Sequence, residues 1–222
     1  DADVERFSDL ETGQTATVDA PLVLDLITEA AAAANPDARR VLDVGCGAGN
    51  YALKLLERLP GLDVHLIDLS RPMLDRAAER IERAGAGTIT ITQADVREVE
   101  LEPGGYGVIL AAAVLHHLRA DSEWRLVFAK LYRALKPGGS LWIADMIEHT
   151  SGAIQDLMRR RYGDYLADLK DEAYRDYVFA YIEREDSPRP LLYQLDLLRE
   201  VGFRSVDVLH KNSVFAAFGA IK

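Results

Sequence analysis

From residue 40 onward, short apolar runs bounded by turn residues alternate with amphipathic stretches. That alternation constrains the fold more than any other feature of the chain. The spacing predicts strands at Arg40–Val44, Asp63–Ile67, Thr88–Thr92, Tyr106–Ala111 and Ser140–Met146. Helical patterns lie between them at Tyr51–Leu59, Arg71–Ala84 and Ser122–Leu135. Val41, Leu42 and Val44, like Val108, Ile109 and Leu110, form largely apolar runs of the kind found in strands covered on both faces. The reading is therefore a doubly wound, parallel α/β sheet. Pro137-Gly138-Gly139 is expected to stop one helix and turn the chain into the fifth strand.

After Met146 the rhythm changes. Ser151 to Asp186 keeps helical spacing without a strand, a helix follows at Leu191–Val201, and Gly202 stops it. Two strands are then expected, Ser205–His210 and Ser213–Ala220, joined by a Lys211-Asn212 turn too short for anything but an antiparallel pair. The whole chain, 1–222, reads as one domain, with residues 1–38 as an N-terminal helical lid segment and 151–186 as a helical cap insertion.

Composition removes several alternatives. In 222 residues, 49% are hydrophobic and 28% charged, the balance of a globular protein rather than of a disordered or fibrous one. No apolar run approaches the roughly 20 residues that cross a bilayer. The acidic start Asp1-Ala2-Asp3-Val4-Glu5-Arg6 does not resemble a secretory signal, and there is no initiator Met. The expected location is cytoplasmic, with no membrane partner. A single Cys leaves neither an internal disulfide nor a Cys-based zinc site. A net charge of −10 repels phosphate backbones, so nucleic acid is a poor partner; a homodimer stays open.

Chemistry concentrates at Asp43-Val44-Gly45-Cys46-Gly47-Ala48-Gly49, between the first strand and the next helix. Glycine lets the backbone turn sharply and approach a ligand closely, and the following helix offers unpaired N–H groups. A dinucleotide loop would place two residues between its second and third Gly; here the spacing is G-x-G-x-G with an acid two residues ahead. That combination, in a strand–turn–helix context, points to a ligand. Asp68 reads either as a ligand acid or as the start of the helix that Ser70 and Pro72 introduce, and Asp95 alone reads as a turn residue. Cys46 reads as a small packing residue.

In this order the motifs resemble those of the class I S-adenosylmethionine-dependent methyltransferases, over most of Arg40 to Lys222. The resemblance implies a Rossmann-like sheet of seven strands, mostly parallel with an antiparallel C-terminal hairpin. The implied cofactor is S-adenosyl-L-methionine, with S-adenosyl-L-homocysteine as product. Asp43, Gly45, Cys46, Gly47 and Gly49 would form the loop at its methionine end. Asp68, followed by Leu69, would bind the ribose hydroxyls, and Asp95 and Val96 the adenine. Ala112 would lie near the methionine amino group, and Leu135 to Gly139 would be the loop before strand five. The function implied is in-line methyl transfer to a small organic acceptor. The long insertion and the stretches Leu197 to Phe203 and Phe215 to Gly219 also resemble the carboxy-S-adenosylmethionine synthases of tRNA modification, which rebuild the cofactor instead. A non-catalytic cofactor-binding protein is the third reading.

His116 and His117 follow the fourth strand, and one of them is the candidate base for deprotonating the acceptor; as neighbours they should not share a role. His65, His149 and His210 are scattered and no H-E-x-x-H pattern occurs, so no metal site is expected. The acceptor pocket is expected between the N-terminal segment Phe7 to Ala20, including Gly13-Gln14-Thr15, and the insertion. There Ile154, Leu157, Met158, Tyr162, Tyr165 and Leu166 give an apolar stripe. Tyr162, Tyr165, Arg175 and Tyr177 are the candidate acceptor contacts, with pairing of Arg175 to Asp171 as the alternative for that side chain.

Overall fold

The computed structural model describes residues 14–222. Seven strands, β1 (Arg40–Val44), β2 (Asp63–Asp68), β3 (Ile89–Gln93), β4 (Tyr106–Ala112), β5 (Leu135–Met146), β6 (Ser205–Asn212) and β7 (Phe215–Ile221), form one sheet in the order β3-β2-β1-β4-β5-β7-β6. The first five run parallel to one another; β7 runs antiparallel to both β5 and β6. The order reverses between β1 and β4, the point at which open α/β sheets leave a crevice at the strands' C-terminal ends.

The central strands are apolar because helices cover both faces. On one side lie α1 (Ala20–Ala34), α2 (Asn50–Arg58) and α3 (Arg71–Arg83); on the other, α4 (Asp121–Ala134) and α7 (Leu191–Val201). Val41 and Val108 face the first helical layer, Leu42 and Ile109 the second, and all four are fully buried. Trp124 anchors the second layer, with its indole N–H donating to the Leu118 carbonyl. Among the described residues no helix is long and apolar enough to cross a membrane.

Two boundaries differ from the sequence reading by more than a single residue. β5 begins at Leu135, because Leu135 pairs with Tyr106 before an irregularity carries the chain through Pro137-Gly138-Gly139. The last hairpin turns at Ser213-Val214 rather than at Lys211-Asn212. Ser213 takes a left-handed conformation (φ 51°), and its hydroxyl donates to the Met158 carbonyl.

The insertion folds as two helices, α5 (Gly152–Leu169) and α6 (Glu172–Glu185). The expected stripe is buried only in its second half: Tyr162 and Leu166 pack with Val18, Val214 and Phe215, whereas Ile154 and Leu157 face outward. The N-terminal lid expected over 1–38 divides. Residues 1–13 lie outside the described residues, and α1 packs on the sheet through Val23, Ile27 and Ala31. Between them a short segment is tied to α5, Tyr162 donating to the Ala16 carbonyl and Tyr165 to that of Thr15.

Candidate active site

The glycine loop leaves β1 and is fastened to β2. Gly45 and Cys46 both donate backbone N–H groups to the Ile67 carbonyl, at 2.8 and 3.0 Å. Gly47 donates to Asp68 Oδ2 at 2.8 Å, and Ser70 N–H to Oδ1 of the same carboxylate at 2.8 Å. Both readings of Asp68 thus meet in one side chain: it shapes the turn into α3 and the loop, and each oxygen keeps a further lone pair for a ligand. Gly45 and Gly47 need their glycines for different reasons. A Cβ on Gly45 would strike Val114 at 2.5 Å, while Gly47, at φ +50°, opens onto empty space where a ligand can lie against the backbone.

Three connected cavities line the C-terminal ends of the central strands. The first is bounded by Asp68, Leu69, Asp95, Val96, Val114 and His117. The second holds Asp43, Gly45, Cys46, Gly47, Tyr51 and Ala112 and shares Asp68 and His117 with the first. The third lies under α5 and α6 and shares Tyr51, Ala112 and Tyr181 with the second. Ala113 borders all three and has a left-handed backbone (φ 51°), unusual for a residue with a Cβ. Gly49 borders none of them; it precedes α2 and backs onto Ala77 and Ile81.

The electrostatics of the first two cavities differ. Arg97 grips Asp95 with its guanidinium at 2.6 and 3.0 Å and its backbone N–H at 2.8 Å, holding that carboxyl below the usual carboxylate range. Asp43 is the opposite case. Burial, with a smaller push from Asp68, raises its carboxyl to about 7, against a hydrogen bond from the Ala52 backbone. Its Oδ2 is buried with no hydrogen-bond partner.

The third cavity holds a group of side chains distant in sequence. Asp145, at the end of β5, receives hydrogen bonds from the backbone of Leu115 (2.8 Å), His116 (3.3 Å) and Met146 (2.7 Å), and from His116 Nδ1. Burial opposes charge on the His116 imidazole, but Asp145 and then Asp186 outweigh it and hold its pKa above the ordinary histidine value. Asp186, just after α6, has a side chain only 3% exposed. Its Oδ1 lies 3.1 Å from His117 Nδ1 and 3.7 Å from His116 Nε2, yet receives no hydrogen bond. Where the sequence offered no metal pattern, ligating atoms of His116, His117 and Asp186 lie within 4.8 Å of one another.

Of the four acceptor contacts read from sequence, Tyr162 alone lines this cavity. Tyr165 holds the N-terminal segment, and Tyr177 is 68% exposed. Arg175 faces an outer cleft beside Arg160, Arg161 and Asp164 and pairs with Asp176 and Glu172. Asp171 instead caps α6, accepting from Tyr174 N–H at 2.7 Å. Asp145, Asp186, Ala113 and Tyr51 went unread. The signal available for Asp145 was an acid ending an otherwise apolar strand.

Residues 41–139 match the family described as a methyltransferase domain. An uncharacterized methyltransferase of Geobacillus kaustophilus is 32% identical over 137 residues, 62% of this chain and 60% of that one. A carboxy-S-adenosyl-L-methionine synthase of Chromohalobacter salexigens is 30% identical over 189 residues, 82% of this chain and 68% of that one. The chain thus spans under two thirds of the first relative's length. Among solved structures, human N-acetylserotonin methyltransferase in complex with its methyl donor superposes with a TM-score of 0.61, at 18% identity, over 99% of this chain and 56% of that one. That likeness is one of fold.

Proposed function

The chain belongs to the class I S-adenosylmethionine-dependent methyltransferase family, and from that membership we propose that it transfers the cofactor's methyl group to a small organic acceptor held in the cavity of Asp145 and Asp186. The observation that carries the reading is the joining of three cavities at Ala113, two along the glycine loop and one beyond it. Asp68 would accept from the ribose hydroxyls and Val96 would edge the adenine, while the orphaned Asp43 oxygen would face the amino group of the methionine end. An unpaired, buried carboxylate oxygen is what an ammonium would complete, so these residues fit the cofactor. Bound S-adenosylmethionine supplies a sulfonium methyl that is already electrophilic. The protein's share is alignment and exclusion of water: Tyr51 and Ala112 border both the loop side and the acceptor side, and α5 and α6 cover the latter. His117, beside Asp186, would take the acceptor's proton, while His116, whose pKa Asp145 holds up, would keep its own and orient the site.

Asp43 gives this reading a pH signature. With a carboxyl raised to about 7, the folded protein keeps a proton that the unfolded chain loses in the ordinary carboxylate range. Stability therefore falls as pH rises across that window, and a cationic partner binds best above it. Affinity for S-adenosylmethionine should climb as pH rises toward about 7 and fall again once the methionine amino group loses its own proton, at about 8. Calorimetric titrations across this range check it; an affinity independent of pH would separate Asp43 from the ammonium.

Transfer is tested by incubating the protein with S-adenosylmethionine bearing a deuterated methyl and fractionated small-molecule extracts. Mass spectrometry should find a small molecule carrying the label. Bound but unconsumed cofactor across all fractions would contradict the reading. A second reading, synthesis of the carboxylated cofactor, is favoured by the synthase relative that aligns over 82% of this chain. Against it, the described lining of the acceptor cavity includes no Arg or Lys to hold a carboxylate. Carboxy-S-adenosylmethionine co-purifying with the protein would decide for the synthase.

A further inference from the structure

Among the described residues, the acceptor cavity has largely apolar walls and one unmet polar demand, Asp186 Oδ1. Tyr51, Tyr162, Met146, Val178, Ile182 and Phe215 make it apolar and aromatic. Its charged side chains, among the described residues, are the carboxylates of Asp145 and Asp186 and the imidazole of His116. Asp145 is fully used by its four donors. Asp186 is not: Oδ1 is buried and undonated, although two imidazole nitrogens lie within 3.7 Å. The rings of Tyr162, Tyr181 and Phe215 line the same cavity as this carboxylate. A carboxylate short of a donor beside aromatic faces is the setting in which an organic cation binds, since charge-assisted hydrogen bonds and ring faces both favour it. Among the described lining residues an anionic acceptor would meet two acids and no Arg or Lys.

We infer that the acceptor is a primary or secondary amine with an apolar body, docked as its ammonium against Asp186 Oδ1. This deepens the methyltransferase reading and rests on it. The ammonium gives one proton to Asp186, which passes it to His117, whose side chain is 45% exposed and opens the way to solvent. The freed nitrogen lone pair then forms the bond to the methyl carbon as the carbon–sulfur bond breaks. That bond's electron pair stays on sulfur, leaving neutral S-adenosylhomocysteine and the methylated ammonium.

The test uses the protein saturated with S-adenosylhomocysteine and three probes with the same phenylethyl body: 2-phenylethylamine, 2-phenylethanol and 3-phenylpropionate. The amine should bind at least about tenfold more tightly than the alcohol, the usual weight of a charge-assisted hydrogen bond, and the carboxylate should not bind. Asp186→Asn, which keeps the shape, should erase most of the amine's advantage while leaving affinity for the alcohol and for S-adenosylhomocysteine unchanged; the latter also reports that the variant is folded. The inference falls if the amine does not bind, if the alcohol or carboxylate binds as well, or if Asp186→Asn holds the amine like the parent. Zinc ion binding to His116, His117 and Asp186 so as to displace the amine would likewise overturn it, assigning the free oxygen to a metal. Failure of S-adenosylhomocysteine to bind at all would instead break the underlying methyltransferase reading and this inference with it.

Discussion

Asp145→Ala should lower the folding free energy by about 3–5 kcal/mol, the range found when one partner of a buried ion pair is removed. The side chain is fully shielded from solvent and serves four donors: the N–H groups of Leu115, His116 and Met146, and the His116 ring. Alanine leaves all of them without this acceptor, and each buried donor so orphaned costs about 1–3 kcal/mol before relaxation. For a chain of this size the melting temperature should fall by on the order of 10 °C. The sign of the pH dependence is also fixed. His116 has a raised pKa in the folded state, so the stability it contributes is complete below the ordinary histidine value and is lost as pH rises through the raised one. The gap between parent and variant should therefore narrow on the alkaline side without closing, because the three backbone donors do not titrate. Urea melts across pH measure both features. A variant as stable as the parent would mean that Asp145 is not what holds the turn after β4.

Asp68→Ala should weaken S-adenosylmethionine binding by about 1.5–3 kcal/mol, roughly 10- to 150-fold. The carboxylate stands where the first two cavities meet and already orders Gly47 and Ser70. Its loss removes the ribose acceptor and the clasp on the loop together. Calorimetric titration gives the affinity, and a thermal melt run alongside separates loss of contact from loss of fold. Unchanged affinity would exclude Asp68 from the ribose role.

What the sequence disclosed and what it hid divide along chain distance. β1 and β4 were legible because burial on both faces writes itself as Val41-Leu42 and Val108-Ile109-Leu110, and Leu191–Val201 because Gly202 (φ 115°) must end it. The loop from Asp43 to Gly49 and the acid Asp68 were legible because each lies at the end of its own strand. The acceptor side was not. Asp145 meets His116 across 29 residues, and Asp186 reaches both histidines from the end of α6, pairings that no local pattern encodes. The surroundings of Arg175 were hidden for the same reason: helical spacing puts it among tyrosines, and α6 turns it toward Asp176 and the outer cleft. The hairpin turn shifted by two residues because Ser213 finds a partner on α5, a contact invisible to turn propensity.

The central claim is that the methyl donor lies along the C-terminal ends of β1, β2 and β4 and points its methyl past Ala113 into the cavity under α5 and α6. Amide chemical shifts followed while S-adenosylmethionine is titrated into labelled protein test it most directly. The account predicts the largest changes at Gly45, Gly47, Leu69, Val96 and Ala113, with the outer cleft around Arg160 and Arg175 unmoved. Saturating cofactor that leaves the glycine loop unshifted, or that perturbs the outer cleft instead, would contradict it.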